Sequence, residues 1–399
     1  MADTLSVVIV GAGLAGANAA LEVGRRAPDA HVTLIGREAH LPYQRPPLSK
    51  GFLRGSEPFE DAFVAPREAY ERLGIELLLG RTAVKLEPDA KRIRLDGDEV
   101  ISYDRALFAT GGRKRHLRFP GAEREGVFDL RTVEDSKRIQ AAARPGARAV
   151  VIGLGFIGCE VAASLRMLGV DVTAIDPGPA PLARVLGLEV GGVIAALHRS
   201  HGVQLELGDG VERIEGGRRV ERVVTRSGRQ FECDFVVAGI GIDPDVDLLR
   251  AAGARISNGV EVDEYCRTSL PDVYAAGDIA DSAHPLFGRI RVEHYNNAEM
   301  QGRSAAASLL DQGVPYDYVH SFWSDQYDQT LEYVGFAATW ETTTVEGSLS
   351  DRDFIVRYFR RGKLLAAAAM GRGGDPASEE PGELKDIANQ IHAAGGPEV

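Results

Sequence analysis

Two stretches of the chain share one pattern of apolar and glycine positions. Val7 to Gly16 reads VVIVGAGLAG, and Val150 to Glu160 reads VVIGLGFIGCE. In each, an apolar β-branched run breaks into G-x-G-x-x-G, with Gly11, Gly13 and Gly16 in the first copy and Gly153, Gly155 and Gly158 in the second. The run predicts a buried strand, and the glycines predict a tight turn into a helix whose amide N–H groups face an anion. The first glycine permits the turn, the second lets the backbone approach a pyrophosphate, and the third lets helix and strand pack closely. One copy is weak evidence. Two copies about 140 positions apart predict a protein that holds two dinucleotides and passes electrons between them.

The pattern extends from both copies. Val7–Val10, a helix over about Leu14–Arg26 and His31–Ile35 make a first β-α-β unit. The acid expected at the adenosine ribose is Glu38, with Arg37 beside it as an adenosine contact or a solvated side chain. Leu41–Leu53, with three prolines and no period, predicts a rigid irregular segment, and Lys50 lies within it. Ile75–Leu79, Ala83–Leu86 and Arg92–Leu95 predict short antiparallel strands, and Tyr103–Thr110 predicts a strand running into Gly111-Gly112. Arg113, Lys114, Arg115 and Arg118 form a basic cluster at an expected domain crossing.

In the second unit, a helix over Gly158–Leu168 leads to a strand over Asp171–Ile175 that ends at Asp176, 23 positions after Gly153. A carboxylate there accepts ribose hydroxyls and repels a 2′-phosphate, so NADH is favoured over NADPH, with Arg184 and Arg199 as the residues that would serve the phosphate. Phe235–Ile240 closes the unit before Gly241. Val273–Ala276 runs into Gly277-Asp278, where Asp278 is a ligand contact or a helix cap. Arg291–Gly302 opens a helix continuing to Leu310, with Asn296 or Asn297 as its cap. Strand-like segments follow at Phe322–Tyr327, Leu331–Phe336, Thr342–Gly347, Phe354–Arg360 and Leu364–Met370. A polar stretch over Gly371–Gly382, a helix over Leu384–Ala394 and a loose tail over Gly395–Val399 complete the chain.

Composition narrows the function. The 399 residues are 44% hydrophobic and 26% charged, ordinary for a soluble globular protein of two or three domains. A net charge of -12 argues against nonspecific nucleic-acid binding. No apolar run approaches the ~18 residues of a membrane span. The N-terminus lacks a basic n-region and reads as the first strand, not as a signal peptide. Cys159, Cys233 and Cys266 form neither a metal cluster nor a disulfide framework, which fits a reducing cytoplasm.

Over essentially its whole length the chain resembles the FAD-dependent, NADH-using ferredoxin reductases of bacterial oxygenase systems. These are the putidaredoxin-reductase and biphenyl-dioxygenase-reductase type, in the glutathione-reductase superfamily and related to apoptosis-inducing factor. The matching motifs are GAGLAG, YQRPPLSK, LFATGG, LRTVED, GLGFIGCE, VVAGIGIDP, YAAGD and FWSDQY. The resemblance implies an α/β fold of two Rossmann-like, three-layer domains plus a C-terminal α+β domain. The division expected is an FAD domain over 1–113 and 245–318, an NAD domain over 114–244 and a C-terminal domain over 319–399.

It also implies site roles. Gly11, Gly13, Ala15 and Gly16 would hold the FAD pyrophosphate, with Arg37 and Ala83 along the adenosine half. Relatives often carry an acid where Arg37 stands. Thr110, Gly111, Arg131 and Asp278 would contact the pyrophosphate, ribityl chain and flavin edge, and Tyr295 would approach the isoalloxazine. Gly153, Gly155, Ile157, Gly158 and Asp176 would hold NADH, with Arg184 and Gly241 nearby. Lys50 and Glu160 would form an ion pair near flavin N5 and serve hydride transfer. Trp323 is either a core aromatic or part of the surface that docks a 2Fe–2S ferredoxin, and Arg113–Arg118 or Arg360–Lys363 would supply a basic docking patch. The disulfide reductases of the superfamily carry a C-x-x-x-x-C pair where this chain has its Pro-rich segment; no cysteine precedes Cys159, so no dithiol relay stands there. Cys159 itself is expected to pack its helix. The competing expectations are a redox-responsive binding protein resembling apoptosis-inducing factor and a reductase of rubredoxin or another carrier. A monomer or weak dimer is expected.

Overall fold

The computed structural model describes residues 4–372 and 382–396. Most of the polar stretch Gly371–Gly382 and the end of the tail Gly395–Val399 lie outside the described residues.

Each glycine motif sits at the centre of its own parallel five-stranded sheet. The first sheet runs Val273–Ala275, Arg105–Phe108, Ser6–Val10, His31–Gly36, Ile75–Leu79. The second runs Val127–Asp129, Phe235–Ala238, Arg148–Ile152, Asp171–Asp176, Gln204–Leu207. The two are built alike down to single bonds. Gly11 N–H donates to Ile35 O at 2.8 Å, and Gly153 N–H donates to Ile175 O at 2.9 Å. Central strands buried on both faces need apolar side chains throughout, which is why the runs VVIV and VVI carry no alternation.

Ile75–Leu79 corrects the sequence expectation. It is not antiparallel to its successors; it pairs parallel with His31–Gly36 because the Arg67–Arg72 helix carries the chain back across the sheet. The antiparallel trio is Ala83–Glu87, Arg92–Leu95 and Val100–Ser102. The second unit repeats that trio at Val211–Glu215, Arg222–Thr225 and Gln230–Glu232, which the sequence pattern had not indicated. The chain passes from the first unit to the second at Gly112–Lys114 and returns at Ile242–Pro244, and these two segments pair antiparallel as a two-stranded ribbon.

The Pro-rich segment is more regular than expected. Pro46–Ser49 is a 3-10 turn and Gly51–Arg54 a helical turn. Proline fixes φ at the start of a helical turn without needing its missing N–H, so the prolines nucleate this segment. Its buried carbonyls are satisfied by side chains from elsewhere. Ser136 Oγ donates to Leu48 O at 2.8 Å, Ser164 Oγ to Ser49 O at 2.7 Å and Gln140 Nε2 to Phe52 O at 3.1 Å.

The helix expected from Arg291 begins at Tyr295 and runs to Leu309, with His294 at its N-cap position. Asn296 and Asn297 do not cap it. Both are buried in the first turn, where Asn296 Nδ2 donates to Ser321 Oγ at 2.7 Å and Asn297 Nδ2 to Val292 O at 2.9 Å.

The C-terminal region is an antiparallel sheet ordered Ser321–Gln326, Gln329–Gly335, Lys363–Met370, Asp353–Arg360, Thr342–Ser348, covered by the helix Glu383–Ala393. Its central strand is buried on both faces. Ala367 and Ala369 pack under Leu384, Ile387 and Ile391 of the helix, while Ala366 and Ala368 join the larger core with Tyr333 and Tyr358. That larger core also holds Leu48, Phe52 and Leu53 of the Pro-rich segment and Cys159, Val161 and Leu165 of the second unit. One apolar core therefore binds three distant parts of the chain.

Candidate functional site

Both helices that follow the glycine motifs start bare. Leu14–Arg26 begins after Gly13 and Phe156–Met167 after Gly155, each with no side-chain cap and no acid in its first turn. The first N–H groups of a helix need partners, and their aligned dipoles favour a negative one. The glycines set the geometry. Gly11 and Gly153 turn at φ 111° and 91°. A Cβ on Gly16 would stand 1.9 Å from Gly11 O, and one on Gly158 1.9 Å from Gly153 O, so neither position tolerates a side chain. A Cβ on Gly13 or Gly155 would meet no atom within 4 Å, so both backbones face open space.

In the first unit that space is a cleft of about 640 Å³. Of the expected site residues, Gly11, Gly13, Ala15, Arg37, Glu38, Lys50, Ala83, Thr110, Gly111, Arg131, Ile157, Glu160, Asp278, Tyr295 and Trp323 all line it. Gly16 does not; it is packed beneath the turn. The second unit's Gly153, Gly155, Gly158, Asp176, Arg184 and Gly241 also lie outside this cleft, the glycines, Asp176 and Gly241 around the ends of the second sheet's strands and Arg184 on the next helix.

The innermost contact is an ion pair. Lys50 Nζ lies 2.9 Å from Glu160 Oε1, with side chains only 13% and 6% exposed. Glu160 accepts two further hydrogen bonds, from Ser49 Oγ at 2.5 Å and Ser324 Oγ at 2.8 Å. A carboxylate this deep is tolerable because its lone pairs are met by one cation and two hydroxyls. Ser49 and Ser324 were not picked out from the sequence. Both lie in motifs that were, YQRPPLSK and FWSDQY, yet a serine shows its value only through the carboxylate it meets in space.

Toward the first unit's glycines, Arg131 pairs with Asp278 at 3.0 Å. Burial pushes the Arg131 guanidinium below its ordinary pKa, and the neighbouring Arg45 pushes it the same way. Its Nε has no partner among the described residues, so a buried donor stands ready for an anion. Arg45, another residue missed in the sequence, donates to Arg131 O and to Glu38 Oε1. Glu38 is held as well by Tyr43 Oη at 2.6 Å, and burial raises Tyr43 to about 12. Asp278 lies within a 3-10 turn and pairs with Arg131, so it does not act as a helix cap. Thr110 Oγ1 donates to Asp245 O at 2.7 Å, tying the returning chain to the cleft.

Tyr295 and Trp323 form the cleft's aromatic edge, in T-shaped contact at 5.2 Å between centroids. Trp323 is half-buried, so it is not a core aromatic. Behind them His294 packs on Phe322 at 4.4 Å, and burial pushes its imidazole down to about 4.

Three other expected residues have surroundings of their own. Both Asp176 oxygens accept backbone bonds, from Leu154 N–H at 2.6 Å and Gly178 N–H at 2.7 Å, so this acid braces the second glycine loop. Three of the basic cluster's four cations are paired with acids. Arg113 pairs with Asp245 and Asp247, Lys114 with Asp129 and Asp135, and Arg115 with Asp243. Cys159 is buried with its thiol toward Leu154 O, and burial raises its pKa, so it packs its helix as expected.

Comparison with known proteins supplies the family. The family model described as pyridine nucleotide-disulphide oxidoreductase matches residues 5–302, and one described as reductase C-terminal matches residues 321–379. The chain belongs to the pyridine nucleotide-disulphide oxidoreductase family. It is 39% identical to the 5,5'-dehydrodivanillate O-demethylase ferredoxin reductase subunit of a Sphingobium species, over 92% of this chain and 90% of that one. It is 36% identical to rhodocoxin reductase of Rhodococcus erythropolis, over 93% of this chain and 87% of that one. Among solved structures, a chain of the covalent putidaredoxin reductase–putidaredoxin complex superposes with a TM-score of 0.89 at 34% identity, covering 92% of this chain and 90% of that one. The fold is thus the two-sheet reductase architecture expected from the glycine motifs, with the added antiparallel sheet.

Proposed function

We propose that the protein is an FAD-dependent NADH:ferredoxin oxidoreductase that supplies electrons to an oxygenase. The observation that carries this reading is the buried Lys50–Glu160 pair in a cleft that opens from a bare helix N-terminus and contains no thiol. Bound FAD supplies the redox chemistry, taking hydride from NADH and giving up electrons singly. The chain's residues orient and shield that exchange. Gly11, Gly13, Ala15 and Gly16 cradle the FAD pyrophosphate at the first helix, and the unpaired Arg131 Nε supports an anion there. All six of Arg37, Glu38, Ala83, Thr110, Gly111 and Asp278 line the cleft; the first three would border the adenosine half of FAD and the last three the flavin half.

Gly153, Gly155, Ile157, Gly158 and Gly241 bind NADH, and Arg184, exposed on the next helix, flanks it. Asp176 favours NADH, since a carboxylate repels a 2′-phosphate. Lys50, paired with Glu160, would supply positive charge to the bound flavin ring, and Glu160 would orient Lys50.

We divide the chain into an FAD domain over 1–113 and 245–318, an NAD domain over 114–244 and a C-terminal domain over 319–399. The ribbon of Gly112–Lys114 with Ile242–Pro244 supports the first two boundaries. The partner is a 2Fe–2S ferredoxin docking at the Tyr295–Trp323 edge, as relatives' names indicate ferredoxin partners. Among the described residues no helix is long and apolar enough to cross a membrane. The three free, buried thiols fit a reducing cytoplasm, and we take the protein to be a monomer or weak dimer. The test is NADH-driven cytochrome c reduction by the purified protein, with and without a 2Fe–2S ferredoxin and with NADPH in parallel. Fast reduction that requires both NADH and ferredoxin is expected; flavin bleaching with no transfer to any ferredoxin would sink the reading.

A further inference from the structure

A chain of hydrogen bonds leaves the Lys50–Glu160 pair and crosses the junction between the second unit and the C-terminal sheet. Ser324 Oγ lies 2.8 Å from Glu160 Oε1, Gln326 Nε2 lies 3.3 Å from Ser324 Oγ, His198 Nε2 lies 3.0 Å from Gln326 Oε1, and Tyr327 Oη lies 3.0 Å from His198 Nδ1. Ser324, Gln326 and His198 are each at most 1% exposed.

The direction of every proton follows from the first acceptor. A carboxylate can only accept, so Ser324 donates to Glu160. The Ser324 oxygen is then free to accept from the Gln326 amide N–H. That turns the Gln326 carbonyl toward His198, so Nε2 of His198 must carry the proton. Nδ1 is left as the acceptor for the Tyr327 hydroxyl. Burial pushes the His198 imidazole down to about 4, so the neutral ring this scheme requires is the form present. All four donors point the same way, and aligned hydrogen bonds in a dry interior polarise one another.

The far end carries its own signature. Tyr327 occupies φ 61° in the two-residue turn between Ser321–Gln326 and Gln329–Gly335, a conformation where Asn or Gly is usual. Its ring stacks on the exposed His201 at 3.6 Å between centroids, nearly parallel at 8°. An aromatic residue held there makes sense if its hydroxyl is needed at His198.

We propose that Tyr327, His198, Gln326 and Ser324 are positioning residues for hydride transfer: a one-way hydrogen-bond chain that fixes the Glu160 carboxylate, and through it Lys50. This rests on the reductase reading for its rate effect, though not for the proton directions. None of the four acts on the ring that accepts hydride except through Glu160.

The test has two parts. Nitrogen-15 NMR of the histidine-labelled flavoprotein should show His198 neutral with its proton on Nε2. A proton on Nδ1 would overturn the proposal whatever the enzyme's activity. Stopped-flow reduction by NADH then compares Gln326→Met, which keeps volume and removes the amide, in the parent and in Glu160→Gln. The expected result is an approximately tenfold slower limiting reduction in the parent background with unchanged NADH affinity, and no further loss in the Glu160→Gln background. Equal losses in both backgrounds would mean a merely structural role. If Gln326→Met does not fold, Tyr327→Phe removes one terminal oxygen and reads the same cycle, with a roughly threefold effect expected. A parent protein whose flavin NADH cannot reduce would defeat the reductase reading, while the His198 tautomer would still decide the chain.

Discussion

Replacing Lys50 by Met keeps an unbranched stem and deletes the charge, so it isolates the ion pair at the centre of the cleft. At the observed 2.9 Å, the gross attraction is about 6 kcal/mol at an effective dielectric of 20. Much of that is offset by the desolvation of both groups. What the substitution exposes is the cost of leaving Glu160 buried without its cation, for which about 3–5 kcal/mol is typical. The lower end applies here, because Ser49 and Ser324 still donate to the carboxylate. A loss of about 3 kcal/mol corresponds to a fall of roughly 3–6 °C in the melting midpoint, scaling down the 2–4 °C per kcal/mol of smaller domains. Adding Glu160→Gln removes the stranded charge, so the double variant should recover most of that loss. The rate should not recover, because Lys50 is still absent; flavin reduction at saturating NADH is expected to stay at least about tenfold below the parent in both variants. Circular dichroism melts of the flavin-loaded proteins and stopped-flow reduction read the two quantities separately. A double variant less stable than Lys50→Met, or unchanged reduction in either variant, would refute the reasoning.

Gly13→Ala and Gly16→Ala should part company: the first points its Cβ into open space, folds normally and binds FAD about tenfold or more weakly, while the second meets Gly11 O at 1.9 Å and does not yield folded protein. Far-UV dichroism and flavin content check both. Asp176→Ala frees Leu154 N–H and Gly178 N–H and removes the acid expected at the ribose, so kcat/KM for NADH should fall about tenfold or more while that for NADPH changes less; an unchanged NADH-to-NADPH ratio would remove Asp176 from nucleotide selection. Burial holds His198, His284 and His294 near 4 in the folded protein, whereas the unfolded chain protonates them near 6.5. Their contribution, on the order of 3 kcal/mol each, is therefore fully present above pH 6.5 and lost as pH falls toward 4. Urea midpoints should drop steadily between pH 7 and 5, and a flat profile over that range would mean these rings are not buried as described.

What could be read from the sequence was whatever is encoded locally. Gly11 and Gly153 announce their turns through their own positive φ, and Gly16 and Gly158 because the carbonyl that excludes a side chain lies five positions back. The C-terminal strands were legible for the same reason, to within a residue or two at most ends. The failures share a cause of the opposite kind. Asn296 and Asn297 have the chemistry of helix caps, yet Asn296 donates to the distant Ser321 and the Asn297 carbonyl accepts from the distant Tyr316. Arg113, Lys114 and Arg115 read as a basic patch, but acids from 129 to 247 come back to neutralise them. Ser49, Ser324 and Arg45 stayed anonymous because each acts on a group more than five residues away, Ser324 on one 164 positions distant.

The strand Ser321–Gln326 shows how closely the C-terminal sheet is bound into the chemistry. Successive side chains of a strand face opposite ways. Phe322, Ser324 and Gln326 therefore share the inward face, where they meet Phe156, Glu160 and His198 in turn. All three partners belong to the second unit. Trp323 takes the other face and stands against Tyr295 at the edge of the cleft. One strand thus bonds the carboxylate paired with Lys50 and also presents the aromatic edge of the cleft. A shift of its register by a single residue would exchange those faces and undo both at once. The fused aromatic and polar pattern of FWSDQY follows from that double demand: apolar Phe322 and small polar Ser324 inward, Trp323 outward, and Gln326 with Tyr327 closing the chain to His198.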